Sequence, residues 1–280
     1  MSSGNLTLHI MAIIFDGRSF AKNKEIKLGR RVSELSSRGV IPKLASILVG
    51  DDPASKLYIG LKEKRGKEIG VQVEAINLRP EIGKEELIRE IECLNSDASI
   101  GGIMIQMPLP GRLQSSKTQI LNSILPEKDV DGLREDSPFL HPTSKAVIEI
   151  LDEAKDIVRP SFGNSSCRVV VIGATGMVGR PLVKELRNQG YKVIECNTKT
   201  SDLAKKTLQA DVVVSATGIP GIITFEMVKN GAIIIDVGSP KGDADPTVAL
   251  VASFLTPVPG GVGPVTISCL LENLIQKYEN

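Results

Sequence analysis

Tryptophan is absent from the 280 residues, and aromatic residues of all kinds make up only 3% of them. A core from this chain must therefore be aliphatic, built from the Val, Ile, Leu and Ala that fill α/β layers. Cysteine is scarce. Cys93, Cys167, Cys196 and Cys269 contain no CxxC pair, which argues against a zinc knuckle or a dithiol motif and for free thiols in a reducing compartment. Neither sign of charge dominates: 34 Lys+Arg face 33 Asp+Glu, so nucleic-acid binding through bulk charge is not expected. No apolar run approaches the roughly 20 residues of a membrane helix. The apolar stretch Leu6 to Phe15 lacks the basic lead and small-residue cleavage site of a signal peptide. These absences predict a cytoplasmic protein, with Met11 a candidate start and residues 1–10 an extension. The 41% of hydrophobic residues is enough for a sizeable core, in one large domain or two ordinary ones.

Apolar runs alternate with helical patterns. The first half predicts a helix over 19–38 closed by Gly39, a strand over 44–49, and a helix from Pro53 to about Ile69. A strand over 71–77, a helix over 84–94 and a strand over 102–106 follow. The stretch 126–142 reads as loop, 143–155 as a helix and 160–166 as a turn. A second series then has strands over 168–172, 192–196, 211–215 and 232–237. A Gly/Pro-rich loop precedes a last helix over 265–278. This β-α alternation predicts two α/β domains with parallel sheets: 1–145 together with 265–280, and a Rossmann-type domain over 146–264.

The strand Val169–Ile172 runs into Gly173-Ala174-Thr175-Gly176-Met177-Val178-Gly179 and then a helix. Glycines between a strand and a helix let backbone N–H groups approach a pyrophosphate at the helix N-terminus. The spacing is GxxGxxG rather than GxGxxG, and a tight turn needing glycine would read the same way. The surrounding βαβ unit favours cofactor binding. Ala216-Thr217-Gly218 and Gly238-Ser239-Pro240 fall at later strand ends, where an open parallel sheet takes its ligands.

In the first half, Ser55, Tyr58 and Lys62 share one helical stripe just after a strand-ending turn. A lysine beside a phenol can act as an acid/base pair if desolvated. Amid Lys56, Lys64, Arg65 and Lys67, the spacing alone favours a solvated face. Gln106 ends a strand before Met107-Pro108-Leu109-Pro110. Asp129 and Asp131 have too few neighbouring ligands for a metal, whereas a single carboxylate can accept two N–H bonds from an amino-pyrimidine edge.

These blocks resemble the bifunctional methylenetetrahydrofolate dehydrogenase/methenyltetrahydrofolate cyclohydrolase family. They are Leu48–Ser55 with Tyr58 and Lys62, Gly102–Pro110, Lys128–Gly132, Gly173–Pro181, Ala210–Gly221 and the Pro/Gly run Thr256–Thr266. The resemblance spans about Ile14 to Asn273. It implies an N-terminal folate-binding catalytic domain and a C-terminal nucleotide domain around a cleft, and two reactions. Hydride leaves 5,10-methylenetetrahydrofolate for NADP, and the methenyl product is hydrolysed to 10-formyltetrahydrofolate. It implies Lys62 as the catalytic lysine, Tyr58 as its partner, Gln106 as the residue that orients it and Asp131 as the pterin anchor. Asp129 is expected to tolerate change far better than Asp131, because residues two apart in a strand or turn cannot both aim at one ring edge without a metal. Ser55, Pro259, Gly260 and Gly261 join Tyr58 and Asp131 in the implied substrate site. Gly173, Ala174, Thr175, Gly179, Thr198, Lys199, Thr217, Gly218, Gly238 and Ser239 are the implied cofactor residues. No metal is expected, and a homodimer is implied.

The chain departs from the family where Ala174 replaces the usual Arg, which leaves NAD as an alternative to NADP, with Glu195 as a candidate ribose ligand. It departs again at His141-Pro142-Thr143-Ser144, where Pro-Cys-Thr-Pro is usual. The alternatives are a monofunctional dehydrogenase, a shikimate-type dehydrogenase and a catalytically dead nucleotide sensor. The retained Lys62 and Gln106 disfavour the first, the Pro257–Pro264 run and Lys128–Gly132 the second, and the intact Tyr58/Lys62 pair the third.

Overall fold

The computed structural model describes residues 11–159 and 163–279. The readings for residues 1–10 and for the turn at 160–162 lie outside the described residues. In chain order the elements are β1 (Ile13–Ile14), α1 (Gly17–Ser37), β2 (Lys43–Val49), α2 (Pro53–Glu68), β3 (Gln72–Leu78), α3 (Lys84–Ser96) and β4 (Gly102–Ile105). There follow α4 (Lys117–Asn122), α5 (Pro142–Val158), β5 (Arg168–Ile172), α6 (Gly179–Asn188), β6 (Lys192–Cys196), α7 (Leu203–Thr207), β7 (Val212–Ser215), β8 (Ile233–Asp236), β9 (Phe254–Leu255) and α8 (Val262–Lys277).

The chain divides into two compact units. Of the described residues, one comprises Phe20–Pro142 with those from Thr266 onward, and the other those up to Ser19 with those between Thr143 and Val265. Residues 11–19 thus depart from the expected 1–145 domain. β1 pairs with β9, Ile13 beside Phe254 and Ile14 beside Leu255, and that pairing carries them into the second unit.

In the unit built on 20–142, a three-stranded parallel sheet has the order β3-β2-β4. The central strand β2 is buried on both faces. Ala45, Ile47 and Val49 pack with Ile103, Ile105 and α3 residues Leu87 and Ile91. Leu44 and Met104, on the other face, pack with Leu28, Val32 and Leu35 of α1 and Leu270, Leu271 and Leu274 of α8. Two-sided burial explains why β2 reads as a nearly unbroken apolar run.

The second unit carries a six-stranded parallel sheet of order β1-β9-β8-β7-β5-β6. Four of these strands were expected; β1 and β9 are two residues each, too short to show periodicity. β5 lies between β7 and β6, so the strand order reverses there. In open α/β sheets such a reversal opens a ligand crevice at the carboxyl ends of the strands. α8 begins at Val262, inside the run expected to be loop. Its Pro264 sits in the first turn, where a missing N–H leaves no intrahelical bond unmade. No described helix is long and apolar enough to cross a membrane.

Candidate active site

α2 starts where the sequence places it because Asp52 caps it. The Asp52 carboxylate accepts from the Ser55 N–H at 2.8 Å, and Pro53 fills the first turn. One face of α2 buries Ser55, Ile59, Lys62 and Gly66, while Lys56, Lys64 and Lys67 stay in solvent. Lys62 is only 4% exposed, which decides between the two readings of its stripe. Its Nζ donates to Gln106 Oε1 at 2.9 Å, lies 3.4 Å from Met104 Sδ and sits 5.4 Å from the centre of the Tyr58 ring. Burial pushes the Lys62 amine down to about 8, against a smaller upward pull from the Asp131 charge. Burial, then the same carboxylate, raises the Tyr58 phenol. Gln106 lies just past β4 rather than within it. Its Nε2 donates to Met107 O at 3.2 Å, which turns Oε1 toward Lys62.

The carboxylates at 129 and 131 have different surroundings. Asp131 is half-buried, and no other described residue bonds its carboxylate. Asp129 is 1% exposed and accepts from the N–H groups of Leu133 and Arg134 at 3.4 and 2.9 Å. Burial raises its carboxyl pKa even so. Asp129 thus closes the turn that carries Asp131. Gly132 has φ +62, and a Cβ there would lie 2.6 Å from Phe139 O and 2.7 Å from His141 N.

Two further residues, which the sequence reading did not select, hold this loop. The Asn273 amide of α8 donates to Val130 O at 3.0 Å and Leu140 O at 2.9 Å, tying both ends of the turn. Lys128 Nζ donates to Leu94 O, Asn95 O and Asp97 O at 3.1, 2.8 and 2.8 Å, satisfying carbonyls at the end of α3. Lys128 lies between Glu127 and Asp129 and carries no sequence signal of burial, and Asn273 has only the apolar pattern of its helix; the carbonyl partners of both are set by tertiary contact. The buried His141, at the family's usual Pro position, is pushed down in pKa by burial.

In the other unit, Gly173 has φ +81, and a Cβ on it would lie 2.4 Å from Ala216 O. A Cβ on Gly179 would lie 2.2 Å from Gly173 O. Glycine alone lets α6 begin this close to β5 and β7. Thr175 and Gly176 are exposed at this turn, at the reversal of strand order, so the cradle fits a dinucleotide phosphate. Ala174 is 2% exposed and its N–H donates to Cys196 O at 3.1 Å, so it shapes the turn and offers neither side chain nor donor to a ligand. Thr198 and Lys199 are exposed on a turn fixed by Asn197 Oδ1, which accepts from the Lys199 N–H at 2.9 Å. Glu195 forms an ion pair with Arg187 of α6 at 2.7 Å. Thr217 and Gly218 follow β7, and Gly238 and Ser239 follow β8. Pro259, Gly260 and Gly261 lie on the turn before α8, closed by the Gly261 N–H donating to Pro257 O at 2.8 Å. These three belong to this unit, whereas Tyr58, Lys62, Gln106 and Asp131 belong to the other.

Known proteins share both halves of this arrangement. Residues 15–131 match the catalytic domain of tetrahydrofolate dehydrogenase/cyclohydrolase, and residues 141–280 match its NAD(P)-binding domain. The chain is 43% identical to the bifunctional protein FolD of Vesicomyosocius okutanii, over 95% of this chain and 98% of that one. The crystal structure of the bifunctional FolD methylenetetrahydrofolate dehydrogenase/cyclohydrolase of Campylobacter jejuni superposes with a TM-score of 0.89 at 37% identity, covering 96% of this chain and 99% of that chain. The Trypanosoma brucei enzyme, solved with NADP and an inhibitor, superposes with a TM-score of 0.87 at 32% identity, covering 96% and 98%. A capped helix with a buried lysine and a glycine turn at a strand-order reversal are thus found together in a chain that belongs to the tetrahydrofolate dehydrogenase/cyclohydrolase family.

Proposed function

We propose that the family's two activities rest here on the Lys62 cluster and on the glycine turn after β5. The reactions are oxidation of 5,10-methylenetetrahydrofolate to the methenyl compound and its hydrolysis to 10-formyltetrahydrofolate. The observation that carries this reading is the buried Lys62 amine, lowered to about 8 and held 2.9 Å from Gln106 Oε1. A neutral amine can take a proton from water attacking the methenyl carbon, and a cationic substrate nearby favours that neutral form further. Gln106 aims the amine, and Tyr58 covers it. The Asp131 carboxylate, which no other described residue bonds, accepts N–H bonds from the pterin edge. Ser55, Pro259, Gly260 and Gly261 complete the substrate contacts proposed from the family resemblance.

NADP, when bound, accepts the hydride. The protein's part in that step is to hold the two reactants face to face. Gly173, Thr175 and Gly179 cradle the phosphates, and Thr217, Gly218, Gly238 and Ser239 form the neighbouring strand-end surface. Ala174 takes part only by shaping the turn. The choice of NADP over NAD is supported by the exposed Thr198, Lys199 and Arg180, and by the engagement of Glu195 with Arg187. Family resemblance is what supports a homodimer and a cytoplasmic setting.

The test follows methenyltetrahydrofolate by absorbance with NADP and with NAD, in wild type and in Lys62→Met. Removing a general base costs about two orders of magnitude or more, so cyclohydrolase activity should fall by that much while folate affinity changes less. Near wild-type hydrolysis in Lys62→Met would overturn the assignment.

A further inference from the structure

We infer that Asp243, a buried residue outside the implied cofactor set, is a positioning residue for nucleotide binding that fixes the loop after β7. The inference rests on the reading that the strand-end loops of this unit hold the nucleotide. Asp243 is 0% exposed, so it cannot touch a ligand itself. Its Oδ2 accepts three hydrogen bonds: from Ser215 Oγ at 2.7 Å, from the Thr217 N–H at 2.8 Å and from Thr217 Oγ1 at 2.8 Å. Thr217 Oγ1 in turn accepts from the Ile219 N–H at 3.1 Å. One carboxylate oxygen thus sets the turn around Gly218, which has φ +66.

The same residue ties this turn to the loop after β8. The Asp243 N–H donates to Asp236 Oδ1 at 3.0 Å, and that oxygen also accepts from the Gly238 N–H at 2.8 Å. Asp236 Oδ2 accepts from the Ala244 N–H at 2.9 Å. Gly238 makes the room: a Cβ there would lie 2.7 Å from both Asp243 N and Asp243 Oδ1. Thr217, Gly218 and Gly238 are proposed cofactor residues: the Asp243 side chain sets the turn of the first two, and its backbone N–H shares the Asp236 carboxylate with Gly238.

The second carboxylate oxygen makes the inference sharp. Asp243 Oδ1 is buried and has no hydrogen-bond partner among the described residues. Such an atom is usually costly, but here it accepts nothing that an amide would lose. The acceptor geometry at Oδ2, not the charge, is what the loop uses. Asp243→Asn should therefore preserve function, with its oxygen facing Ser215 and Thr217 and its NH2 group in the unpaired position. Asp243→Ala removes the acceptor and leaves three donors unpaired.

The experiment measures the KM for NADP in the dehydrogenase direction and, separately, hydrolysis of supplied methenyltetrahydrofolate, which needs no nucleotide. In Asp243→Ala the NADP KM should rise about tenfold or more, the scale of leaving buried donors without their acceptor, with hydrolysis within about twofold of wild type. Asp243→Asn should keep the NADP KM within about threefold of wild type. Ser215→Ala, which removes one donor and keeps the fold if Asp243→Ala does not, should raise the NADP KM by about two- to fivefold. An unchanged NADP KM in Asp243→Ala and Ser215→Ala overturns the inference. So does equal loss of both activities with a lowered Tm, which marks a purely structural role, and so does an Asn variant as impaired as the Ala variant. Failure of wild type to oxidise the substrate with either nucleotide would instead overturn the functional reading beneath it.

Discussion

Lys62 Nζ donates to Gln106 Oε1 across 2.9 Å, and the same amide donates from Nε2 to Met107 O at 3.2 Å. The second bond makes the first directional, because an amide flip would lose both. Hydrolysis in wild type should therefore follow the neutral amine, with kcat/KM rising through about pH 8. Gln106→Glu places a carboxylate beside the amine and holds its proton. The rising limb should move to higher pH by about one unit or more, with a matching loss near pH 7. Gln106→Leu should lower the rate without that alkaline shift. A pH–rate profile of each variant decides this.

Burying Lys62 has a consequence for stability. Its folded pKa, about 8, lies below the ordinary 10.5, so the unfolded chain binds more protons between these values and stability rises with pH there. Below pH 8 the full penalty of a buried ammonium is present. Lys62→Met, which removes it, should be the more stable protein at pH 7. Its advantage should shrink by up to about 3 kcal/mol as the pH rises past 10. Urea unfolding of both proteins at pH 7 and pH 10 measures this, and a constant gap would refute the assignment of the shift.

Asp131 and Asp129 should separate by phenotype. Asp131→Ala removes a carboxylate that no other described residue bonds. It should raise the folate KM by about two orders of magnitude, the scale of charged hydrogen bonds, and impair both activities with little change in Tm. Asp129→Ala frees two backbone N–H groups in a buried turn and should cost about 1–3 kcal/mol of stability. Denaturant titration beside steady-state kinetics distinguishes the two.

Asn273 joins Val130 O to Leu140 O through one amide. Asn273→Leu fills the space but leaves both carbonyls unpaired. A loss of about 2 kcal/mol in stability is expected, together with a higher folate KM, because Val130 directly precedes Asp131. Hydrogen exchange of the 129–141 amides should accelerate in this variant and not in Lys62→Met.

Cofactor choice should depend on exposed cations rather than on Glu195. One exposed Lys–phosphate contact supports about a fivefold preference for NADP, so Lys199→Ala or Arg180→Ala should reduce the NADP/NAD ratio of kcat/KM by no more than that. Glu195→Gln should leave NAD use almost unchanged, since its carboxylate already pairs with Arg187. A large loss of NAD activity in Glu195→Gln would make it the ribose ligand after all.

Much of this was legible in the residues themselves. Local patterning marks β2, α2 and β5 because a buried strand, a capped helix and a glycine turn each leave their signature within a few residues. The glycines at 173 and 179 follow from the same short-range geometry, a strand turning directly into a helix. What patterning could not say was which polar groups are enclosed. Lys62 acquires its lowered pKa from burial and from Gln106, 44 positions away in the chain. Asp129 and Asp131 look alike in sequence, and only the fold makes one a closed turn and leaves the other open. β1 joins the second unit through β9, more than 200 residues distant, by a pairing too short for any periodicity. The longer helices and strands were set by neighbours in sequence. Burial, hydrogen-bond partners and charge state were set by neighbours in space, and only the tertiary structure supplies those.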